Sequence, residues 1–194
     1  MKRLVIFASG AGSNAENIMQ FFAENPEIKV AAVFSNKADA GVLNKAERFG
    51  VESIIFNKEE LNNGSVLAEV QQINPDLIIL AGFLLQFPQD IVAAYPNQII
   101  NIHPALLPKY GGKGMYGMHV HRAVCDNKET ETGITIHYVD AHYDEGDIIF
   151  QEKVPLDGNE TCEDVFAKVQ QLEYRHFPNV IAQLLESSGK QTIK

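Results

Sequence analysis

The sequence is poor in several residue types, and each shortage excludes a class of protein. It has no tryptophan and only two cysteines, Cys125 and Cys162, which form no CxxC pair. Two isolated cysteines cannot build a disulfide framework, so the predicted compartment is the reducing cytoplasm. No apolar run approaches the length needed to span a membrane, so no association with a membrane is predicted.

Basic residues are also scarce, with 16 Lys and Arg against 25 Asp and Glu and a formal net charge of -9. Binding to nucleic acid needs a broad basic surface, which this composition does not favour. A small anionic substrate is still possible, because a helix N-terminus and a few lysines can hold a phosphate. The predicted partners are therefore small molecules and not nucleic acid.

Strand-like and helix-like segments alternate along the chain. This rhythm predicts an α/β protein with one domain over residues 1–194 and a doubly wound, Rossmann-like, mostly parallel sheet with mixed C-terminal strands. The predicted strands are Leu4–Ala8, Ile28–Ser35, Ser53–Phe56, Leu77–Ala81, Gln98–His103, Gly133–Val139 and Ile148–Val154. The predicted helices are Asn14–Glu24, Val42–Phe49, Glu59–Ile73, Gln89–Ala94, His119–Asp126 and Cys162–Leu185, the last capped by Thr161.

The most informative segment is Asn101-Ile102-His103-Pro104, at the end of a predicted buried strand. Side chains alternate along a strand, so Asn101 and His103 point the same way. They would lie at the carboxyl edge of the sheet, where open α/β folds bind their ligands. An amide that holds a developing oxyanion beside an imidazole that moves protons is typical of acyl transfer.

A glycine-rich turn, Ser9-Gly10-Ala11-Gly12-Ser13-Asn14, joins the first predicted strand to the first predicted helix. Backbone N–H groups at such a helix N-terminus form an anion site. With Ala15 the turn also matches the dinucleotide fingerprint GxGxx(G/A), but that fingerprint expects an acid at the end of the second strand. The first acid after that strand is Asp39, so the pattern favours a phosphate monoester over NAD.

Other polar residues leave alternatives open. Asp140, Asp144 or Asp147 could orient the imidazole of His103, and the spacing does not choose among them. His119 and His121 would face apart on a helix, so a zinc pair is not favoured. His137 could belong to the core or line the site, and the loop around Met115 and Tyr116 could be a lid or plain surface.

The chain resembles the folate-dependent phosphoribosylglycinamide formyltransferases over essentially its whole length. The resemblance rests on Asn101-Ile102-His103-Pro104, on Leu106-Leu107-Pro108-Lys109-Tyr110, and on Asp144 before Gly146. Further matches are Gln151-x-Lys153-Val154-Pro155, Val33–Lys37 and Leu80–Phe83. The chain departs from many relatives at Leu85, where they carry an arginine, and in a longer loop over Gly111–Met118.

The resemblance implies a role for each matched residue. Asn101, His103 and Asp144 would be catalytic. Glycinamide ribonucleotide would be held by Gly12, Ser13 and Asn14 at its phosphate and also by Gln170 and Glu173, and the pterin of the folate would lie among Leu84, Leu85, Gln86, Asp140, Ala141, His142 and Tyr143. The first half, about residues 1–100, would then bind phosphate, and the second, about 101–194, would carry catalysis and folate binding.

The implied reaction is formyl transfer from 10-formyltetrahydrofolate, the cosubstrate, to the amine of glycinamide ribonucleotide in purine biosynthesis, without a metal. The enzyme would be a monomer or a homodimer. Two rivals share the Asn, His and Asp set: a formyltetrahydrofolate hydrolase and a methionyl-tRNA formyltransferase. A non-catalytic nucleotide-binding Rossmann module is a third, but it would leave Asn101, His103 and Asp144 without a shared purpose.

Overall fold

A computed structural model of the protein describes residues 1–188, and within them the chain alternates between strands and helices. The strands are β1 (Lys2–Phe7), β2 (Ile28–Ser35), β3 (Glu52–Ile55), β4 (Leu77–Leu80), β5 (Ile99–His103), β6 (Glu131–Tyr138) and β7 (Ile148–Pro155). The helices are α1 (Ser13–Phe22), α2 (Gly41–Arg48), α3 (Lys58–Asn62), α4 (Ser65–Ile73), α5 (Gln89–Ala94), α6 (Met118–Asp126) and α7 (Cys162–Ser188).

The strands form one sheet in the order β3-β2-β1-β4-β5-β6-β7. Strands β1 to β5 are parallel, and β6 is antiparallel to both β5 and β7. The predicted doubly wound sheet with mixed C-terminal strands is therefore confirmed. The chain order reverses at β1, which lies between β2 and β4, and ligands bind in open α/β sheets outside the carboxyl ends at such a point.

Each face of the sheet has its own core because neighbouring residues of a strand point to opposite faces. Leu4 and Ile6 of β1 pack in one cluster with the buried residues of α1, α2 and α7. Val5 and Phe7 pack in the other cluster with residues of α4 and α5. All four side chains are fully buried. Strand β1 is therefore a central strand of the sheet, and helices pack against both of its faces.

Two predicted elements differ from the structure. The single helix predicted over Glu59–Ile73 is two helices, α3 and α4, because the chain bends at Asn63 and at Gly64, whose φ is 90°. Strand β6, predicted to be half-buried, is buried at six consecutive positions. It lies inside the sheet between β5 and β7, and α7 packs on it, so no edge or face of it is left to solvent.

Helix α7 supplies one wall of the site, and its start is fixed by a reciprocal cap. The Thr161 hydroxyl accepts the N–H of Asp164 at 3.1 Å, and Asp164 accepts the N–H of Thr161 at 2.9 Å, which is the pattern of a capping box. The helix continues past the predicted end at Leu185 to Ser188, with Pro178 inside it. No helix within residues 1–188 is both long enough and apolar enough to cross a membrane.

Candidate active site

A cavity of about 680 Å³ opens at the carboxyl edge of β1, β4 and β5. Its walls come from the glycine turn before α1, the loop after β4, the end of β5, the loops before α6 and β7, and one face of α7. Every residue to which the family resemblance assigned a role lines it: Gly12, Ser13, Asn14, Leu84, Leu85, Gln86, Asn101, His103, Asp140, Ala141, His142, Tyr143, Asp144, Gln170 and Glu173. Asp147, the third acid proposed to orient His103, does not line it. The structure thus brings these residues together, while their individual roles stay predictions.

The antiparallel pairing of β5 with β6 sets the floor of the cavity. Asn101 lies opposite His137, and His103 lies opposite Thr135. The amide nitrogen of Asn101 is 3.1 Å from Nε2 of His137. Nδ1 of His137 is 2.8 Å from the carbonyl oxygen of Tyr138, which can only accept, so Nδ1 carries the proton and Nε2 accepts from Asn101.

His103 is held in one orientation by the backbone. Its Nε2 donates to the carbonyl of Tyr110 at 2.7 Å, so in the neutral ring Nδ1 is the free acceptor. Nδ1 lies 3.6 Å from Oδ2 of Asp144. Burial lowers the pKa of His103, opposed by the charge of Asp144 and by the Tyr110 carbonyl, and the net shift is downward. The ring is therefore predominantly neutral at neutral pH, with a lone pair ready to accept a proton.

Asp144 joins the other polar groups of the site. Its Oδ2 accepts the N–H of Gly112 at 2.9 Å, and its Oδ1 lies 3.5 Å from both the Asn101 amide nitrogen and Nε2 of His137. Burial raises its pKa, but the polar groups around the carboxylate, which include His137, His103 and the N–H of Gly112, outweigh that, so the net shift of the pKa is downward. The carboxylate is thus ionised beside a neutral imidazole.

Backbone geometry at Asp144 indicates that its position is imposed by the fold. Its φ is +56°, in the left-handed region that a residue with a side chain rarely adopts. Tyr110, whose carbonyl orients His103, has a φ of +57°. The turn closes at Gly146, where a Cβ atom would lie 1.9 Å from the carbonyl oxygen of Tyr138. Such strain, of order 1–3 kcal/mol per residue, clusters at functional sites.

The turn before α1 presents backbone donors to the cavity. Gly12 has a φ of +71°, and a Cβ atom there would lie 2.5 Å from Val42, so only glycine fits without displacement. Within residues 1–188 no side chain caps the first turn of α1, which leaves its N–H groups available for an anion. The Ser9 hydroxyl donates to Asn36 at 2.6 Å and accepts the N–H of Leu84 at 3.0 Å, which ties this turn to the loop after β4.

Asn14 and Glu173 meet across the cavity from α1 and α7. The Asn14 amide donates to Oε2 of Glu173 at 3.0 Å, and the buried Asn14 oxygen has no partner among the described residues. Burial raises the pKa of Glu173 to about 7, with the Asn14 hydrogen bond opposing. Two polar groups that the protein leaves incompletely bonded are suited to a ligand that carries several hydroxyl groups.

The remaining wall combines apolar surface with exposed backbone. Leu84 and Tyr143 are large hydrophobic side chains that stay exposed at the mouth. Gln86 donates to the carbonyl of Ala141 at 3.3 Å, and Asp140 accepts the N–H of His142 at 2.8 Å. Asp140 is half-buried and pairs with His142, so it does not orient His103. The geometry therefore favours Asp144 among the three acids that the spacing left open.

Sequence reasoning left His137 undecided and did not assign His121 or Thr135 to the site. Thr135 holds the proline-rich exit of β5, since its hydroxyl accepts the N–H of Leu107 at 3.0 Å and donates to Ala105 at 2.7 Å. Thr135 and His137 are two residues apart on one strand, so their side chains point the same way. This spacing was the sequence feature that could have indicated Thr135. His121 had no such signal, because its place depends on how α6 packs against α7.

Within residues 1–188 no group of three or more His, Cys, Asp or Glu side chains lies close enough to hold a metal ion. Asn101, His103, His137 and Asp144 contact one another and the backbone. The open α/β sheet and the amide, imidazole and carboxylate at its carboxyl edge define an enzyme of the acyl-transfer type.

The Formyl transferase family matches residues 2–181. The protein from Vigna unguiculata named "Phosphoribosylglycinamide formyltransferase, chloroplastic" is 36% identical over 95% of this chain, which spans 61% of that protein. The phosphoribosylglycinamide formyltransferase of Escherichia coli (strain K12) is 36% identical over 92% of this chain and 85% of its own length. The crystal structure of the enzyme of that name from Bacillus halodurans superposes with a TM-score of 0.87 at 30% identity, covering 100% of both chains.

The chain belongs to the formyl transferase family, and the resemblance predicted from its motifs is confirmed. Membership implies a folate-type formyl donor and small-molecule substrates.

Proposed function

We propose that the protein transfers the formyl group of 10-formyltetrahydrofolate to the amine of glycinamide ribonucleotide, a step of purine biosynthesis. The observation that carries the proposal is the meeting of the Asn101 amide, the His103 imidazole and the Asp144 carboxylate at one point of the cavity. The names of its relatives, which include the Escherichia coli enzyme, support the choice of substrates.

The reaction begins with attack of the neutral amine on the formyl carbon, which forms a C–N bond and places negative charge on the formyl oxygen. The Asn101 amide stabilises this charge, and a single oxyanion donor is worth roughly 3–4 kcal/mol. His103 adds to this only after it has taken the proton of the amine and become an imidazolium. The bond between the formyl carbon and N10 of the folate then breaks. One proton leaves the attacking nitrogen and one reaches N10, so the products are the formylated amine and tetrahydrofolate.

Proton movement is the task of His103 and Asp144. Nδ1 of the neutral ring and Oδ2 of the carboxylate are both acceptors, and they lie 3.6 Å apart. An N–H group or a water placed between them can donate to either. As the amine loses its proton, the imidazolium that forms is stabilised by the adjacent carboxylate, and it can then protonate the departing folate nitrogen directly or through water.

The two ligands occupy different parts of the cavity in this proposal. The phosphate binds the N–H groups of Gly12, Ser13 and Asn14 at the start of α1, and the rest of the ribonucleotide extends along Gln170 and Glu173 of α7. The pterin lies against Leu84, Leu85 and Gln86 and the segment 140–143, which line the cavity together and are joined by the hydrogen bond from Gln86 to the carbonyl of Ala141.

We infer the remaining properties from the same observations. Residues 1–188 belong to one formyltransferase domain, with phosphate binding in about 1–100 and catalysis and folate binding from about 101 onwards; the end predicted for this domain, at 194, lies outside the described residues. The free cysteines, Cys125 and Cys162, suit a cytoplasmic location. The acidic chain uses no nucleic acid as substrate and needs no metal, and it works as a monomer or a homodimer.

One assay tests the proposal against its rivals. The protein is mixed with 10-formyltetrahydrofolate, and release of tetrahydrofolate is followed with and without glycinamide ribonucleotide. Release only with the amine, together with a formylated product, is the expected result. Release into water without the amine would indicate a hydrolase, and formylation of methionyl-tRNA in a parallel reaction would indicate the tRNA enzyme. Binding of the ribonucleotide without release of tetrahydrofolate would indicate a non-catalytic nucleotide-binding module.

A further inference from the structure

His121 is a buried polar side chain that the mechanism above does not use. It lies on α6, is 1% exposed, and lines the cavity. Its Nδ1 is fully buried with no hydrogen-bond partner, and within residues 1–188 its Nε2 also has none. Buried polar groups in folded proteins are nearly always bonded, so a bare imidazole in a cavity wall needs an explanation.

The tautomer of His121 can be argued from this environment. Burial lowers its pKa to about 4, with the charge of His103 acting in the same direction, so the ring is neutral near pH 7. A neutral ring carries one N–H. An orphaned buried N–H is rarer than an under-satisfied acceptor, which places the proton on Nε2 and leaves the sealed Nδ1 as a bare acceptor. Nε2, which is not sealed, is then a donor with access to the cavity.

The position of the ring indicates which part of a ligand it meets. His121 and His103 line the same cavity, and a positive charge on His103 lowers the pKa of His121. On its other side its ring packs edge-on against Phe166 of α7, with centroids 5.4 Å apart, and Phe166 lies one helical turn before Gln170. The ring therefore lies between the reacting end of the cavity and the wall proposed to hold the ribonucleotide.

In glycinamide ribonucleotide, the amide that links the glycyl unit to the ribose is one methylene group away from the reacting amine. With the amine at His103, this amide falls between His103 and α7. We propose that Nε2–H of His121 donates a hydrogen bond to the carbonyl oxygen of this substrate amide and so fixes the amine in line with the formyl carbon. The inference rests on the function proposed above and adds a residue to its acceptor site.

The test compares three variants. His121→Phe keeps a ring of similar shape against Phe166 but removes both nitrogens. His121→Gln places an amide N–H near the position of Nε2. His119→Phe is the matched control, because His119 lies on the same helix but is exposed and does not line the cavity. Dissociation constants are measured by calorimetry for glycinamide ribonucleotide, ribose 5-phosphate and tetrahydrofolate.

In His121→Phe the dissociation constant for glycinamide ribonucleotide is expected to rise about tenfold, the effect of leaving one buried hydrogen bond unmade. Ribose 5-phosphate lacks the amide, so its binding should stay within about twofold, which also shows that the variant is folded. Tetrahydrofolate binding should not change. His121→Gln should recover most of the loss, and His119→Phe should match the wild type.

Several results would overturn the inference. They are normal ribonucleotide binding by His121→Phe, an equal loss for ribose 5-phosphate, or a loss in His121→Gln as large as that in His121→Phe. An equal loss for ribose 5-phosphate would show that His121 contacts the sugar phosphate. An equal loss in His121→Gln would show that the shape of the side chain, and not its N–H group, is responsible. Wild-type protein that neither binds nor formylates the ribonucleotide would refute the proposed function itself and the inference with it.

Discussion

Asn101 and His137 face each other across β5 and β6, with the Asn101 amide nitrogen 3.1 Å from Nε2 of His137. Because His137 donates from Nδ1 to the carbonyl of Tyr138, its Nε2 accepts and selects the nitrogen side of the Asn101 amide. The second N–H of that nitrogen is directed towards Asp144 at 3.5 Å. This contact is long for a hydrogen bond, so the N–H is available to a developing oxyanion.

The first prediction is that His137 acts through Asn101. His137→Leu should lower kcat about tenfold with little change in KM, because a misoriented amide fails only in the transition state. Asn101→Ala should lower kcat about 10²–10³-fold. When Asn101 is already alanine, adding His137→Leu should lower kcat no further. His119→Leu, at an exposed histidine that does not line the cavity, is the control. A His137 effect of equal size with and without Asn101 would refute the coupling.

The second prediction concerns the charge of Asp144. In Asp144→Asn the pKa of His103 should fall further, because the carboxylate 3.6 Å from Nδ1 opposes the dominant effect of burial. Turnover should fall by about 10²–10³-fold. The pKa is read from an NMR titration, in which His119 and His176, which do not line the cavity, serve as internal references. Asp140→Asn, beside the exposed His142, should leave His103 unchanged. An unchanged or higher pKa of His103 in Asp144→Asn would remove the electrostatic role.

The third prediction separates two glycines of the turn before α1, Gly10 and Gly12. Gly12→Ala should cost about 2–4 kcal/mol of unfolding free energy, from its positive φ and from contact with Val42, and should raise KM for the ribonucleotide. Gly10→Ala meets no atom within 4 Å, so its stability should stay within about 0.5 kcal/mol. Urea unfolding measures both. Equal stability of the two variants would show that Gly12 is not required for the turn.

The fourth prediction follows from Glu173, whose pKa is raised from 4.5 to about 7. The folded protein holds a proton there that the unfolded chain releases above about pH 4.5. This contribution is therefore fully present below pH 4.5 and is lost as the pH rises through about 7. Glu173→Gln cannot lose a proton, so at pH 8 it should be more stable than the wild type by about 1–3 kcal/mol.

Urea unfolding of the ligand-free protein at pH 4, 6 and 8 checks this expectation. The advantage of Glu173→Gln should disappear at pH 4, where both side chains are uncharged. Glu186→Gln, an exposed position on the same helix, should show no such dependence. Parallel stability curves for the wild type and Glu173→Gln over this range would show that Glu173 is ionised in the folded state.

Much of this protein could be predicted from local patterns. The alternation of apolar strands with amphipathic helices determined the sheet and its layers, since each pattern depends on neighbours in the chain. Asn101 and His103 share a side because of the two-residue period. The Thr161 cap and the glycine turn before α1 were likewise local, and all four features lie where the sequence predicted them.

Tertiary structure decided which distant groups meet. Asp144 approaches His103, and not Asp140 or Asp147, because the Gly146 turn closes against Tyr138. His137 joins Asn101 because one register pairs β6 with β5, and His121 enters the cavity wall because α6 packs on α7. Strand register and helix packing result from the whole core. A short-range period therefore predicts which side chains share a face, but not which partner lies across from them.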